Sequence, residues 1–223
     1  MRGLQAVRLT SRRLSARGAL CLGEHVRVIL FVDVLAAVLT VARTWPQFLR
    51  IVIRKDSTGV SSLAWGLVMT SHVGWLMYGI QDHLGLLIVV NTLASGGCAA
   101  IVLRLRSVRL VVLLVAGTCL AGWALYSISN GVLLSAVVGL SLVMFLPQAV
   151  KVFRAPHEGV SPVTWALSAA SSMTWIAWSL MVSRPALAAA HYVMLPTALL
   201  ILVLALRGGR SAISNNLRQT GAS

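Results

Sequence analysis

Apolar residues in this chain fall into seven long runs, at about 28–49, 61–80, 84–104, 108–128, 131–151, 162–182 and 186–206. Each run is apolar nearly all the way round, where a soluble core helix shows a single stripe. About 20 apolar residues in a helix cross the roughly 30 Å hydrocarbon core of a bilayer. The pattern therefore predicts an all-α protein with seven transmembrane helices. Connections are short and use turn formers, such as Ser129-Asn130-Gly131 between the fourth and fifth runs. Pro162 and Pro185 stand where the last two helices begin, a position that tolerates proline. Outside the runs lie a basic segment, 1–25, with Arg2, Arg8, Arg12, Arg13 and Arg17, and a polar C-terminal tail, 208–223. The first reads as a disordered tail, a misplaced translation start or a transit peptide.

Composition agrees with the pattern: 58% of residues are hydrophobic and 11% charged, and mean hydropathy is +0.86. A soluble α domain is excluded on those values and run lengths. The net charge of +14 would suggest nucleic acid in a soluble protein. Here the basic residues lie between apolar runs, which points to topology control and contact with anionic lipid. One set of loops receives Arg50, Arg54 and Lys55, then Arg104, Arg106 and Arg109, then Lys151 and Arg154, then Arg207, Arg210 and Arg218. The other inter-helix loops carry only Arg184. That asymmetry predicts a cytoplasmic C-terminus and an outside N-terminus, although the basic tail argues the other way. Arginine outnumbers lysine 17 to 2, a hint of a GC-rich bacterial genome and hence a bacterial cell membrane. Cys21, Cys98 and Cys119 fit no metal-ligand spacing.

The chain also repeats itself. Gly59-Val60-Ser61 recurs as Gly159-Val160-Ser161, Trp65 as Trp165 and Trp75 as Trp175, all at an offset of 100, and Tyr78 answers to Trp178. Trp45-Pro46-Gln47 answers to Leu146-Pro147-Gln148 at an offset of 101. Tryptophan is rare, and two pairs in fixed register point to duplication. Runs one to three match runs five to seven. A three-helix unit begins and ends on opposite membrane faces, so one extra crossing is needed to keep the second copy in the first one's orientation. The expected layout is thus a first repeat at 26–106, a linker helix at 107–129 and a second, parallel repeat at 130–207, a 3+1+3 arrangement. Transporters use this design, with solute held between the halves.

Proline-glutamine near the end of the first helix of each triple resembles the PQ-loop superfamily. The stretch Gly74-Trp75-Leu76-Met77-Tyr78-Gly79-Ile80, with Asn91 sixteen residues after Trp75, resembles the SWEET and SemiSWEET sugar transporters. The likeness covers about 28–206. It implies a facilitator that moves a mono- or disaccharide by alternating access without a cofactor, with Pro46, Gln47, Pro147 and Gln148 as hinges. The second copy departs from the pattern: His191 stands sixteen residues after Trp175, where the family has asparagine.

Trp75 and Asn91 lie at similar depths on adjacent antiparallel helices, as do Trp175 and His191. An aromatic face packs on sugar C–H groups and a carboxamide bonds hydroxyls, so this quartet is the expected binding site. Asp33, His72 and His191 are titratable groups in or near the spans and candidates for proton coupling. They keep open a second reading, a proton-coupled carrier of an amino acid or other small solute. Trp45, Trp65, Trp123 and Trp165 read as interfacial belt residues, and Arg43 as pointing to the cytoplasmic vestibule or snorkelling. Small residues Gly96, Gly97, Ala99 and Ala100 should allow close helix packing. No zinc-protease, nucleophile-elbow or phosphate-loop motif occurs, so an enzyme is not expected. Lys55 and Lys151 sit at loop positions, which disfavours a retinal receptor. A membrane scaffold and a homo-oligomer both remain compatible with the sequence.

Overall fold

The computed structural model describes residues 26–154 and 160–220, with side chains as far as 207. The basic segment 1–25 and the C-terminal tail's side chains lie outside the described residues. All described elements are helical. Helix α1 covers 26–42, and α2, Trp45–Phe48, continues it into a π-helical turn, Leu49–Ile53. Then follow α3, Ser62–Gln81, α4, Gly85–Leu105, and α5, Val108–Ile128. Helix α6, Asn130–Val143, is continued by α7, Leu146–Arg154. Helix α8, Pro162–Met181, leads through a 3-10 turn, Pro185–Ala188, into α9, Ala189–Thr220. Helix α9 runs unbroken through Pro196.

Four segments are long and apolar enough to cross a membrane: Gly85–Leu105, Val108–Ile128, Asn130–Arg154 and Pro185–Arg207. The sequence pattern predicts seven. Helices α3 and α8 are 20 residues each, long enough, but they bury polar side chains that dilute their hydropathy. Helix α3 buries Ser71 and His72; α8 buries Thr164, Ser168, Ser171, Ser172 and Ser179. Their polarity faces inward. Helix α5 is the opposite case: Gly122 is its one buried residue, and it packs on α3, α4 and α6 with its remaining surface outward.

Serine hydroxyls start four helices. Ser61, Ser107, Ser129 and Ser161 accept from the backbone N–H three residues on, at 3.2–3.4 Å. The two discontinuities follow from proline, which lacks an N–H and clashes with the carbonyl four residues back. Four residues before Pro46 is Ala42, and four before Pro147 is Val143; α1 and α6 end there. Helix resumes when Phe48 N–H reaches Thr44 C=O at 2.9 Å and Ala149 N–H reaches Phe145 C=O at 3.0 Å. His83 and Ser183, also 100 apart, both take the left-handed conformation (φ 56° and 57°). The register read in the sequence therefore extends to helix bounds, breaks and turns.

Trp65 and Trp165 lie in the main core cluster at 8% and 5% exposure. This corrects their assignment to the interfacial belt: each sits one turn inside its helix N-terminus on the inward stripe, and Phe145 meets Trp165 edge-to-face at 5.0 Å. Trp45 and Trp123 remain outward, at 60% and 65%. Of the glycines expected to pack closely, Gly97 abuts Thr44, where an added Cβ would lie 3.2 Å from Cγ2, while Gly96 meets nothing within 4 Å. A tighter approach occurs at Gly74, where a Cβ would lie 3.0 Å from Val137 on α6. Gly74→Leu should therefore cost about 1–3 kcal/mol by overpacking. Gly117→Ala, with nothing within 4 Å of the new Cβ, should cost nothing. Thermal unfolding midpoints of the two purified variants check the contrast.

Candidate functional site

The inward polar positions of α1, α3, α6 and α8 converge on a central cavity. Thr40 on α1 donates its hydroxyl hydrogen back to Ala36 C=O at 2.8 Å. Its oxygen accepts from Trp175 Nε1–H at 2.8 Å, and Ser171 Oγ lies at 3.0 Å. With the Thr40 hydrogen committed to Ala36, Ser171 is the donor of that pair. Position 141 repeats the arrangement. Ser141 donates to Val137 C=O at 2.8 Å, accepts from Trp75 Nε1–H at 3.0 Å, and is 2.8 Å from Ser71 Oγ. Each hydroxyl gives one hydrogen bond to its own helix and takes two from a helix of the opposite half. Its capacity is then spent. The indole N–H groups point into the helix contacts, and both Trp75 and Trp175 line the cavity.

The cavity itself measures about 50 Å³, room for a few water-sized groups. Trp75, Asn91, Trp175 and His191 all stand in its wall, so the four residues expected to bind solute are brought together. His191 stacks on Trp175 with centroids 6.1 Å apart and planes 13° from parallel, and its Nδ1 lies 3.5 Å from Ser172 Oγ. Asn91 is less free than its expected role required. Its Oδ1 is 2.7 Å from His72 Nδ1 and its Nδ2 donates to Leu87 C=O at 2.8 Å, which leaves one amide hydrogen.

Arg43 stands elsewhere than expected. It does not snorkel: it is 6% exposed and lines both the central cavity and a second cavity toward the glutamine end. The break after Ala42 turns its side chain inward, where Nη2 lies 3.0 Å from His72 Nε2. A guanidinium only donates, so Nε2 accepts, and His72 carries its proton on Nδ1, aimed at Asn91. His72 is thus the middle of an Arg43–His72–Asn91 chain. The signal in the sequence was a charged residue inside a span, a functional position by default. Asp33 lies on the same inward stripe as Ala36, Ala37 and Thr40 but about 10 Å beyond Thr40, outside the cavity wall. No hydrogen bond joins it to any described residue.

The glutamines after the two prolines reach across to the other half. Gln148 Oε1 accepts from Ser61 N–H at 2.8 Å while its Nε2 donates to Gly59 C=O at 3.1 Å. Lys151 Nζ donates to Val60 C=O. Gln47 Oε1 accepts from Ser161 N–H at 3.3 Å. Pro46 and Pro147 break their helices, and Gln47 and Gln148 tie the resumed segments to the Gly-Val-Ser turns. At this end Arg50 also pairs with Asp56 at 2.7 Å, and that side-chain hydrogen bond, helped by Thr58, holds the Asp56 carboxyl below the usual range. At the other end Asp82 accepts from Arg184 at 2.8 Å and from Asn130 Nδ2–H at 3.2 Å.

No known family model matches the chain, and no curated protein matches it in sequence. The site therefore rests on its own geometry. Ser141→Ala and Thr40→Val should each strand one indole N–H and cost about 1–3 kcal/mol. The expected readout is a lower unfolding midpoint together with a shift in tryptophan emission.

Proposed function

We propose that the chain is a membrane carrier for a small polar solute, built as seven crossing helices in a 3+1+3 arrangement. The observation that carries this reading is the cavity between the matched helices, walled by two indole faces and by Asn91 and His191. Two tryptophan planes suit the C–H faces of a sugar-like molecule, and the likeness to SWEET transporters at these positions supports the same class. In this reading α5 is the linker, and the basic loops set the C-terminus in the cytoplasm.

The cavity is smaller than a monosaccharide, so loading requires its walls to separate. The breaks at Arg43-Thr44 and Met144-Phe145 supply a place to flex, and the glutamine ties at one end and the Asp82–Arg184 pair at the other are the contacts to be exchanged. Alternating access follows if one set opens while the other holds. His191 in the cavity wall favours a second reading, transport coupled to protons.

Uptake into liposomes of labelled glucose and sucrose, and of a basic amino acid, with and without a pH gradient, separates these readings. The facilitator reading expects sugar uptake that ignores the gradient and falls at least about tenfold, the scale of 1.4 kcal/mol, in folded Trp75→Ala. Gradient-driven amino acid uptake without sugar uptake would favour the coupled carrier. If no tested solute enters, the chain is no carrier of these classes.

A further inference from the structure

The cavity wall carries one charge, and among the described residues it has no counter-ion. Of the three acids among the described residues, Asp56 is paired with Arg50 and Asp82 with Arg184. Asp33 lies ten residues from Arg43 along the chain, about 15 Å at helical rise. The one side-chain hydrogen bond of Arg43 is to neutral His72, and Phe145 offers a ring face 5.9 Å from the guanidinium carbon. A desolvated cation is costly unless paired, and neither an imidazole acceptor nor a ring face supplies a negative charge.

Its remaining donors are open. The buried side-chain polar atoms without a partner among the described residues are Asn130 Oδ1 and Thr164 Oγ1. Arg43 Nε and Nη1 have no hydrogen-bond partner among the described residues and are not among those enclosed atoms, and Arg43 lines both the central cavity and a second one beside Phe145, Gln148 and Trp165. The rest of the wall agrees in sign. The hydrogens of Thr40, Ser141 and both indoles are spent, while Asn91 keeps one N–H directed by the same chain. Opposite Arg43, at the equivalent break, stands Met144, which adds no charge.

We infer that the solute carries a carboxylate, held by Arg43 and the free Asn91 N–H, with its hydroxylated carbon skeleton between Trp75 and Trp175: a small hydroxy acid or sugar acid. This rests on the carrier reading and names its solute class. A guanidinium edge, here Nε or Nη1 together with the second hydrogen of Nη2, matches a carboxylate with two parallel hydrogen bonds, which a neutral sugar cannot repay.

Matched probes isolate the charge. Glucuronate and glucose differ by a carboxylate in place of a hydroxymethyl group, as do lactate and 1,2-propanediol at smaller size. Tryptophan fluorescence of the purified full chain, titrated with all four, reads binding directly because Trp75 and Trp175 line the cavity. In at least one pair the acid should bind at least about tenfold tighter than its alcohol, the scale of one charge-assisted hydrogen bond. Arg43→Gln should erase that preference, and Arg43→Lys should keep part of it. If Arg43→Gln does not fold, the wild-type preference decides. Equal binding within both pairs, preference for the alcohols, no binding of either acid, or a preference that survives Arg43→Gln overturns the assignment. The carrier reading is judged separately: sugar uptake lost in Trp75→Ala would sustain it even if the acids fail.

Discussion

Everything at the centre of this molecule depends on satisfying polar groups where water is scarce. A buried indole N–H or serine hydroxyl without a partner costs about 1–3 kcal/mol. Thr40 and Ser141 meet that constraint by the same device: donate to the carbonyl one turn back, and accept from a serine and a tryptophan of the other half. The donation to the helix is what frees the oxygen to receive two hydrogens. Because each hydroxyl collects its donors from a different helix, the contact fixes α8 on α1 and α3 on α6. The geometry of the cavity follows from those two nodes.

The same constraint explains the proline-glutamine pairs. Proline removes an N–H and forces a break, which leaves carbonyls and turn amides to be satisfied. The neighbouring glutamine bonds the backbone of a turn that closes the same end of the opposite half. The break at Arg43-Thr44 and the tie at Gln47 thus lie within one helical turn of each other, as do Met144-Phe145 and Gln148.

Much of this arrangement was legible in the sequence because repetition turns weak signals into a register. The helices, the breaks and the Trp75, Asn91, Trp175 and His191 quartet all follow from offsets of 100 and 101. What escaped were features that no single-helix pattern displays. Trp65 and Trp165 look like belt residues by their position near helix ends, and only packing against Phe145 and its neighbours shows them to be core. Thr40, Ser71, Ser141 and Ser171 are unremarkable in any apolar helix until the other half is laid against them. Arg43 misled because a helix drawn unbroken to residue 49 puts it near an interface; the break at Ala42 puts it in the interior instead. Helices α3 and α8 bury polar side chains and α1 ends at the break after Ala42, so these three runs are not among the four spans that length and apolarity pick out.

Residues of both kinds, those that obey the repeat and those that break it, line the cavity, but the first kind also makes matched contacts between the repeats. Thr40 and Ser141, Ser71 and Ser171, Trp75 and Trp175, and Gln47 and Gln148 are matched in type and in contact, and they hold the two halves together. The mismatched pairs are Arg43 with Met144, His72 with Ser172, and Asn91 with His191, and five of those six residues line the cavity. Symmetric contacts join equivalent positions of the two repeats. The cavity wall lacks that symmetry and differs from one side to the other. Two guanidiniums facing each other would repel across so small a space, whereas one, backed by His72 and Asn91, gives the cavity a positive side and an apolar side. Under the carrier proposal, it is this asymmetry, more than the fold, that would give the cavity a preference for a molecule with a charged end and a carbon skeleton.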